Sequence, residues 1–121
     1  MKTSSAKAKG RKLQQWVAGK ISKITNRPYG KDKEIRSREM GQSGVDVPLF
    51  GKAQEMFPFS VECKNQQTWS IPAWIKDAKY NQEDGTDWLL VVKKNRHEEI
   101  VVMDARAFFD FYEQLIQGIW K

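Results

Sequence analysis

The chain has 121 residues, 40% hydrophobic and 30% charged, which suits one compact domain and is too few for two. No apolar run approaches the roughly 18 to 20 residues of a membrane span, and the opening MKTSSAKAKGRK has no apolar signal segment, so membrane and export roles are not expected. A single cysteine, Cys63, and a single histidine, His97, leave no disulfide framework and no structural zinc site, and a reducing, intracellular setting is the expectation. The net charge of +6 is unevenly spread: residues 1 to 38 hold 12 Lys/Arg against two acids, and residues 39 to 121 hold 9 against 13. A polycationic first third attracts polyanions through Coulomb interaction and counterion release, so nucleic acid is the leading partner and acidic lipid the second.

Residues 1–9 are small, polar and basic with no apolar period, and read as a disordered arm ahead of a domain spanning 10–121. From Gly10, the residues Leu13, Trp16, Val17, Ile21 and Ile24 fall at helical spacing, with Arg11, Lys12, Lys20 and Lys23 on the polar side. Asn26 to Gly30 end that helix. Residues 35–40 read as a polar strand. After the turn at 41–44, Val45, Val47 and Leu49 alternate with Asp46 and Pro48 as a half-buried strand.

Past Gly51, Phe59, Val61 and Cys63 alternate with Ser60, Glu62 and Lys64, so Glu62 and Lys64 point the same way. Ser70 is placed to cap a second helix running to Asp84-Gly85, with Trp74 on its apolar stripe. Residues 88–92 form an apolar run suited to a central strand. Residues 100–103 return after a polar loop, and Asp104 leads into a last helix whose Phe108, Phe109, Tyr112, Leu115, Ile116 and Ile119 form a broad apolar side. The expected order is α-β-β-β-α-β-β-α: a single α/β domain with a central mixed sheet flanked by helices.

Glu62 and Lys64 put an acid and an amine side by side on one strand face. With Asp46 from a neighbouring strand, the two carboxylates and the Cys63 backbone carbonyl can hold Mg²⁺ or Mn²⁺, hard cations that take oxygen ligands. Water activated there, with Lys64 orienting or deprotonating it and stabilising charge on the phosphate, is the chemistry of phosphodiester hydrolysis. Set alone, an E-x-K triplet is equally an exposed ion pair of at most about 1 kcal/mol.

Gly44-Val45-Asp46-Val47 and Ser60-Val61-Glu62-Cys63-Lys64-Asn65, in that order behind a basic helix, resemble the metal-binding aspartate and E-x-K motifs of the PD-(D/E)XK nuclease superfamily. The resemblance spans about residues 8 to 104. It is most similar to the small Holliday junction resolvases of archaea and phages, whose basic opening Lys9-Gly10 matches. It implies a restriction-endonuclease-like fold, divalent-metal-dependent cleavage, and a homodimer that nicks opposing strands of four-way junctions formed in DNA recombination. Resolvases of this kind usually carry a glutamate in the first helix where this chain has Gln14, a neutral amide that supplies no charge. Glu39 either replaces it or is a strand residue paired with Arg36 or Arg38.

DNA contacts are expected from Lys9, Arg11, Lys12, Lys20 and Lys23. Ser43 is either a phosphate contact or ordinary turn chemistry, and Gln66 either meets the DNA backbone or is a loop polar group. Trp69 either stacks on an unpaired base or fills a contact between copies. His97 reads as an exposed loop residue and the Cys63 thiol as buried and inert. Two alternatives stand beside the resolvase expectation: a related nicking, flap-cutting or restriction-type nuclease, and a non-catalytic nucleic-acid-binding protein.

Overall fold

The computed structural model describes residues 2–38 and 44–120. Its elements are α1 (Lys2–Thr25), α2 (Gly51–Met56), β1 (Phe59–Asn65), α3 (Ile71–Tyr80), β2 (Asp87–Lys93), β3 (Ile100–Met103) and α4 (Ala105–Trp120). The strands form one mixed sheet in the order β1-β2-β3, with β1 parallel to β2 and β2 antiparallel to β3. Parallel neighbours need a crossover connection, and α3 is that crossover.

The sheet is covered on both faces, and the period-two alternation of its strands decides which residue faces which helix. Phe59, Val61, Leu89 and Val91 pack with Leu13, Val17 and Ile21 of α1. On the other face Trp88, Leu90 and Val92 pack with Trp74 and Ala78 of α3. Central β2 is therefore apolar on both sides, as its unbroken Trp88–Val92 run demands.

Several boundaries differ from the sequence expectation. Helix α1 starts at Lys2 rather than Gly10, because Ala6, Ala8 and the lysines of the opening segment are good helix formers even without an apolar stripe. It stops where expected, with Asn26 in the left-handed conformation (φ 57°) that ends many helices. Ser70 stands at the N-terminus of α3, but its hydroxyl makes no capping hydrogen bond, and the helix ends at Tyr80 rather than at Asp84-Gly85. At α4 the cap is real: Asp104 Oδ2 accepts the Ala107 N–H at 3.0 Å. The short helix α2 had no clear periodic signal in six residues.

Of the two strands expected over 35–40 and 45–49, residues 35–38 and 45–49 are not part of the sheet, and residues 39–40 lie outside the described residues. In their place is a narrow antiparallel ribbon, in which the N–H groups of Arg36, Arg38 and Phe50 donate to the carbonyls of Pro48, Asp46 and Glu34. Pro48 has no N–H to give, so the pairing stays sparse. Glu34 fixes the ribbon: it pairs with Arg27 and accepts the Ala53 N–H at the start of α2. The observed order is thus α-α-β-α-β-β-α among the described residues.

Candidate active site

β1 lies at one edge of the sheet, and the segment around Asp46 runs along its outer side. The Pro58 carbonyl and the Gln66 N–H bond toward β2, so the even-numbered backbone groups of β1 face inward. The odd ones face outward: Val61 C=O accepts the Asp46 N–H at 2.9 Å, and Cys63 N–H donates to Asp46 Oδ2 at 2.7 Å. A strand residue's N–H and C=O point to the same edge, so the Cys63 carbonyl looks out toward Asp46. Gly44, at φ 106°, turns the chain into this contact in a conformation other residues rarely adopt.

Asp46 is only 2% exposed, whereas strand alternation had placed it on the face opposite Val45 and Val47; all three are buried against β1. Its Oδ1 lies 2.7 Å from Arg38 Nη2, out of line for a hydrogen bond, and is left buried with no hydrogen-bond partner. Burial pushes the Asp46 carboxyl above its usual range, against the opposing pull of the Cys63 N–H and the Arg38 charge.

Glu62 and Lys64 project from the opposite side of β1 to Val61, toward α3. Lys64 Nζ is 3.5 Å from Glu62 Oε2, as their two-residue spacing on one face predicts. Glu62 is 6% exposed; burial and then the neighbouring Asp46 charge raise its carboxyl. Burial lowers the Lys64 ammonium, but its hydrogen bond to Asp77 and the charges of Glu62, Asp77 and Asp46 outweigh this and leave it raised. The net shift favours the cationic form of Lys64. The Cys63 thiol is pushed well up by burial, in keeping with an inert side chain.

A cleft of about 910 Å³ opens over these groups. Asp46, Glu62, Cys63 and Lys64 line its floor, and Lys9, Gly10, Arg11 and Gln14 of α1 line one wall. Asn65 Nδ2 donates to the Lys9 carbonyl at 3.2 Å and ties that wall to the end of β1. Gln66 is at the mouth. Lys12, Lys20 and Lys23 are not among the lining residues. Lys20 and Lys23 lie about 10 residues further along α1, roughly 15 Å away at 1.5 Å per residue, and Lys20 sits over the Trp16 ring. Glu39 and Ser43 fall outside the described residues. Sequence reasoning missed Lys7 and Arg38 in the cleft and Asp77 and Asn81 on α3, which meet β1 only through tertiary packing.

The donor set fits a hard divalent cation. Two buried carboxylates and Cys63 line one cleft, and carboxylate and carbonyl oxygens are the donors a hard cation takes; Mg²⁺ commonly takes few protein ligands and keeps waters. Among the described residues no group of three or more His, Cys, Asp or Glu side chains gathers, so the site offers two carboxylates and no more. No described helix is long and apolar enough to cross a membrane. No protein family, no curated protein and no solved structure matches this chain.

Proposed function

We propose that this chain is a metal-dependent, structure-selective DNA endonuclease of the PD-(D/E)XK type, a Holliday junction resolvase acting inside the cell as a homodimer. The observation that carries the reading is the gathering of the buried carboxyls of Asp46 and Glu62 in one cleft with Lys64 and the basic wall of α1. Asp46, Glu62 and the Cys63 carbonyl would hold Mg²⁺ or Mn²⁺. When bound, the cation supplies Lewis acidity at the scissile phosphate. Lys64, a cation held beside the floor of the cleft, stabilises negative charge on the phosphate oxygens as water adds and the P–O bond breaks. Lys9 and Arg11 hold the backbone, so binding weakens steeply with salt. Gln14 contributes a neutral carbonyl or amide and no charge.

The homodimer is supported by α4. Phe108, Phe109, Phe111, Tyr112, Leu115 and Ile116 are 38–68% exposed, although a lone helix of this length is marginal in water. Together they leave on the order of 600 Å² of apolar surface uncovered, near the ~800 Å² per partner of a standard interface.

One observation favours the non-catalytic DNA-binding reading: Arg38 already neutralises Asp46, and a carboxylate with a resident counter-ion can serve structure alone. Incubation of a labelled four-way junction and the matching duplex, with Mg²⁺ and with EDTA, separates the readings. Symmetric metal-dependent nicks confined to the junction are expected. Equal cutting of both substrates points to a nicking, flap or restriction-type nuclease, and tight binding with no cutting points to the binding protein.

A further inference from the structure

Glu62 and Lys64 of β1 are each held from the end of α3, Lys64 by Asp77 in its last turn and Glu62 by Asn81, the C-cap one residue beyond Tyr80. Lys64 Nζ donates to Asp77 Oδ2 at 3.0 Å, shorter than its 3.5 Å separation from Glu62 Oε2. Asn81 Nδ2 donates to Glu62 Oε1 at 3.2 Å. Asp77 and Asn81 are four residues apart, one helical turn, so they stack on one side of α3 as Glu62 and Lys64 do on one side of β1. The four side chains form a chain of contacts, Asn81 to Glu62 to Lys64 to Asp77. Its frame is rigid: Trp74 and Ala78, on the adjoining stripe of α3, are buried against Trp88, Leu90 and Val92. Just beyond the helix, Ser60 Oγ accepts the Glu83 N–H at 3.0 Å and anchors the next turn to β1.

We propose that Asp77 and Asn81 are positioning residues for this site, a role that rests on the nuclease reading above. Lys64 has two carboxylates within reach, and an ammonium settled on Glu62 competes with a divalent cation for the same oxygens. Asp77 draws the ammonium to the far side and leaves Glu62 Oε2 available. Asn81, by occupying Oε1, fixes the rotation of the carboxylate so that Oε2 faces inward. Asp77 is half exposed, so the shape-conserving change to Asn removes its charge without disturbing the core.

The test is calorimetric Mn²⁺ binding to the free wild-type protein and to Asp77→Asn, Asp77→Glu and Asn81→Ala, with thermal melts as a folding control. Outer residues that orient metal ligands typically affect affinity 10- to 100-fold. Asp77→Asn and Asn81→Ala are expected to weaken Mn²⁺ binding by about 10-fold or more. Asp77→Glu should restore most of it, and junction affinity measured in EDTA should stay at the wild-type value. Wild-type Mn²⁺ affinity in folded Asp77→Asn and Asn81→Ala overturns the positioning role while leaving the nuclease reading intact. Absence of Mn²⁺ binding by the wild type overturns both, and junction cleavage by that same wild-type protein in Mg²⁺ would then rescue the nuclease reading alone. If Asn81→Ala does not fold, Asn81→Asp decides for that residue: it keeps the shape, loses the donor and places a second negative charge beside Glu62, so wild-type Mn²⁺ affinity there overturns the assignment.

Discussion

The outer edge of β1 and the face of α4 break the usual partition of side chains in opposite directions. At β1, Asp46 and Glu62 are buried, where carboxylates seldom lie unless paired. At α4, six large apolar side chains stand in solvent, where a contiguous patch of that size marks an interaction surface. The first region buries charge that Arg38, Lys64, Asn81 and the Cys63 N–H partner from within the chain, and the second leaves apolar area exposed. Under the proposed reading the two regions would be completed by different chemistry: a cation and a phosphate at β1, a second copy at α4.

The largest expected effect is at β1. Asp46→Asn and Glu62→Gln should each lower metal-dependent cleavage by about 10³-fold, with junction binding in EDTA retained. Retained cleavage in either variant, measured as single-turnover rates, would dissolve the contrast by making the buried charge incidental. The α4 face should respond differently. Phe109→Glu combined with Leu115→Glu is expected to halve the mass seen by sedimentation equilibrium without loss of helix signal, and an unchanged mass would remove α4 from the interface.

A third test concerns the cost of the buried charge itself. The folded-state carboxyls of Asp46 and Glu62 are raised, so the fold favours their protonated forms. Their contribution to stability is present below the ordinary carboxylate range and is lost as pH rises through the raised values. In EDTA, Glu62→Gln should therefore be more stable than wild type at pH 8, by about 1 kcal/mol, and the two should converge on acidification. Denaturant melts at several pH values check this, and a Gln variant less stable at pH 8 contradicts it.

The smallest effect is at Gly10. A Cβ there would meet nothing within 4 Å, so packing within the chain does not require glycine. Gly10→Ala should stabilise α1 by about 0.5–1 kcal/mol. If the cleft wall meets a phosphate backbone closely at that point, the same change should weaken junction binding.

What was legible in the sequence follows from how local each signal is. Glu62 and Lys64 share a face because a strand repeats every two residues, and Trp88–Val92 is central because both of its faces are apolar. The helix stripe Leu13, Val17 and Ile21 was equally plain. Residues 35–38 and 45–49 form a sparse ribbon rather than sheet strands because Pro48 has no donor and the Asp46 N–H goes to Val61, details weaker in the pattern than the valine alternation. The pairing of Arg38 with Asp46 was not legible, because only the ribbon carries the two side chains together. Asp77 and Asn81 were invisible because helix periodicity sorts apolar from polar positions and says nothing about which polar position faces β1. Spare apolar area on the last helix was legible in its broad Phe-rich side, but a stripe does not tell what covers it.

The most direct test is a crystal of the protein soaked in Mn²⁺, with anomalous scattering used to locate the ion. The account predicts a peak at the outer edge of β1, within coordination distance of Asp46, Glu62 and the Cys63 carbonyl, with Arg38 moved off Asp46 Oδ1. A map with no peak there, and Arg38 still seated on Asp46, would contradict it.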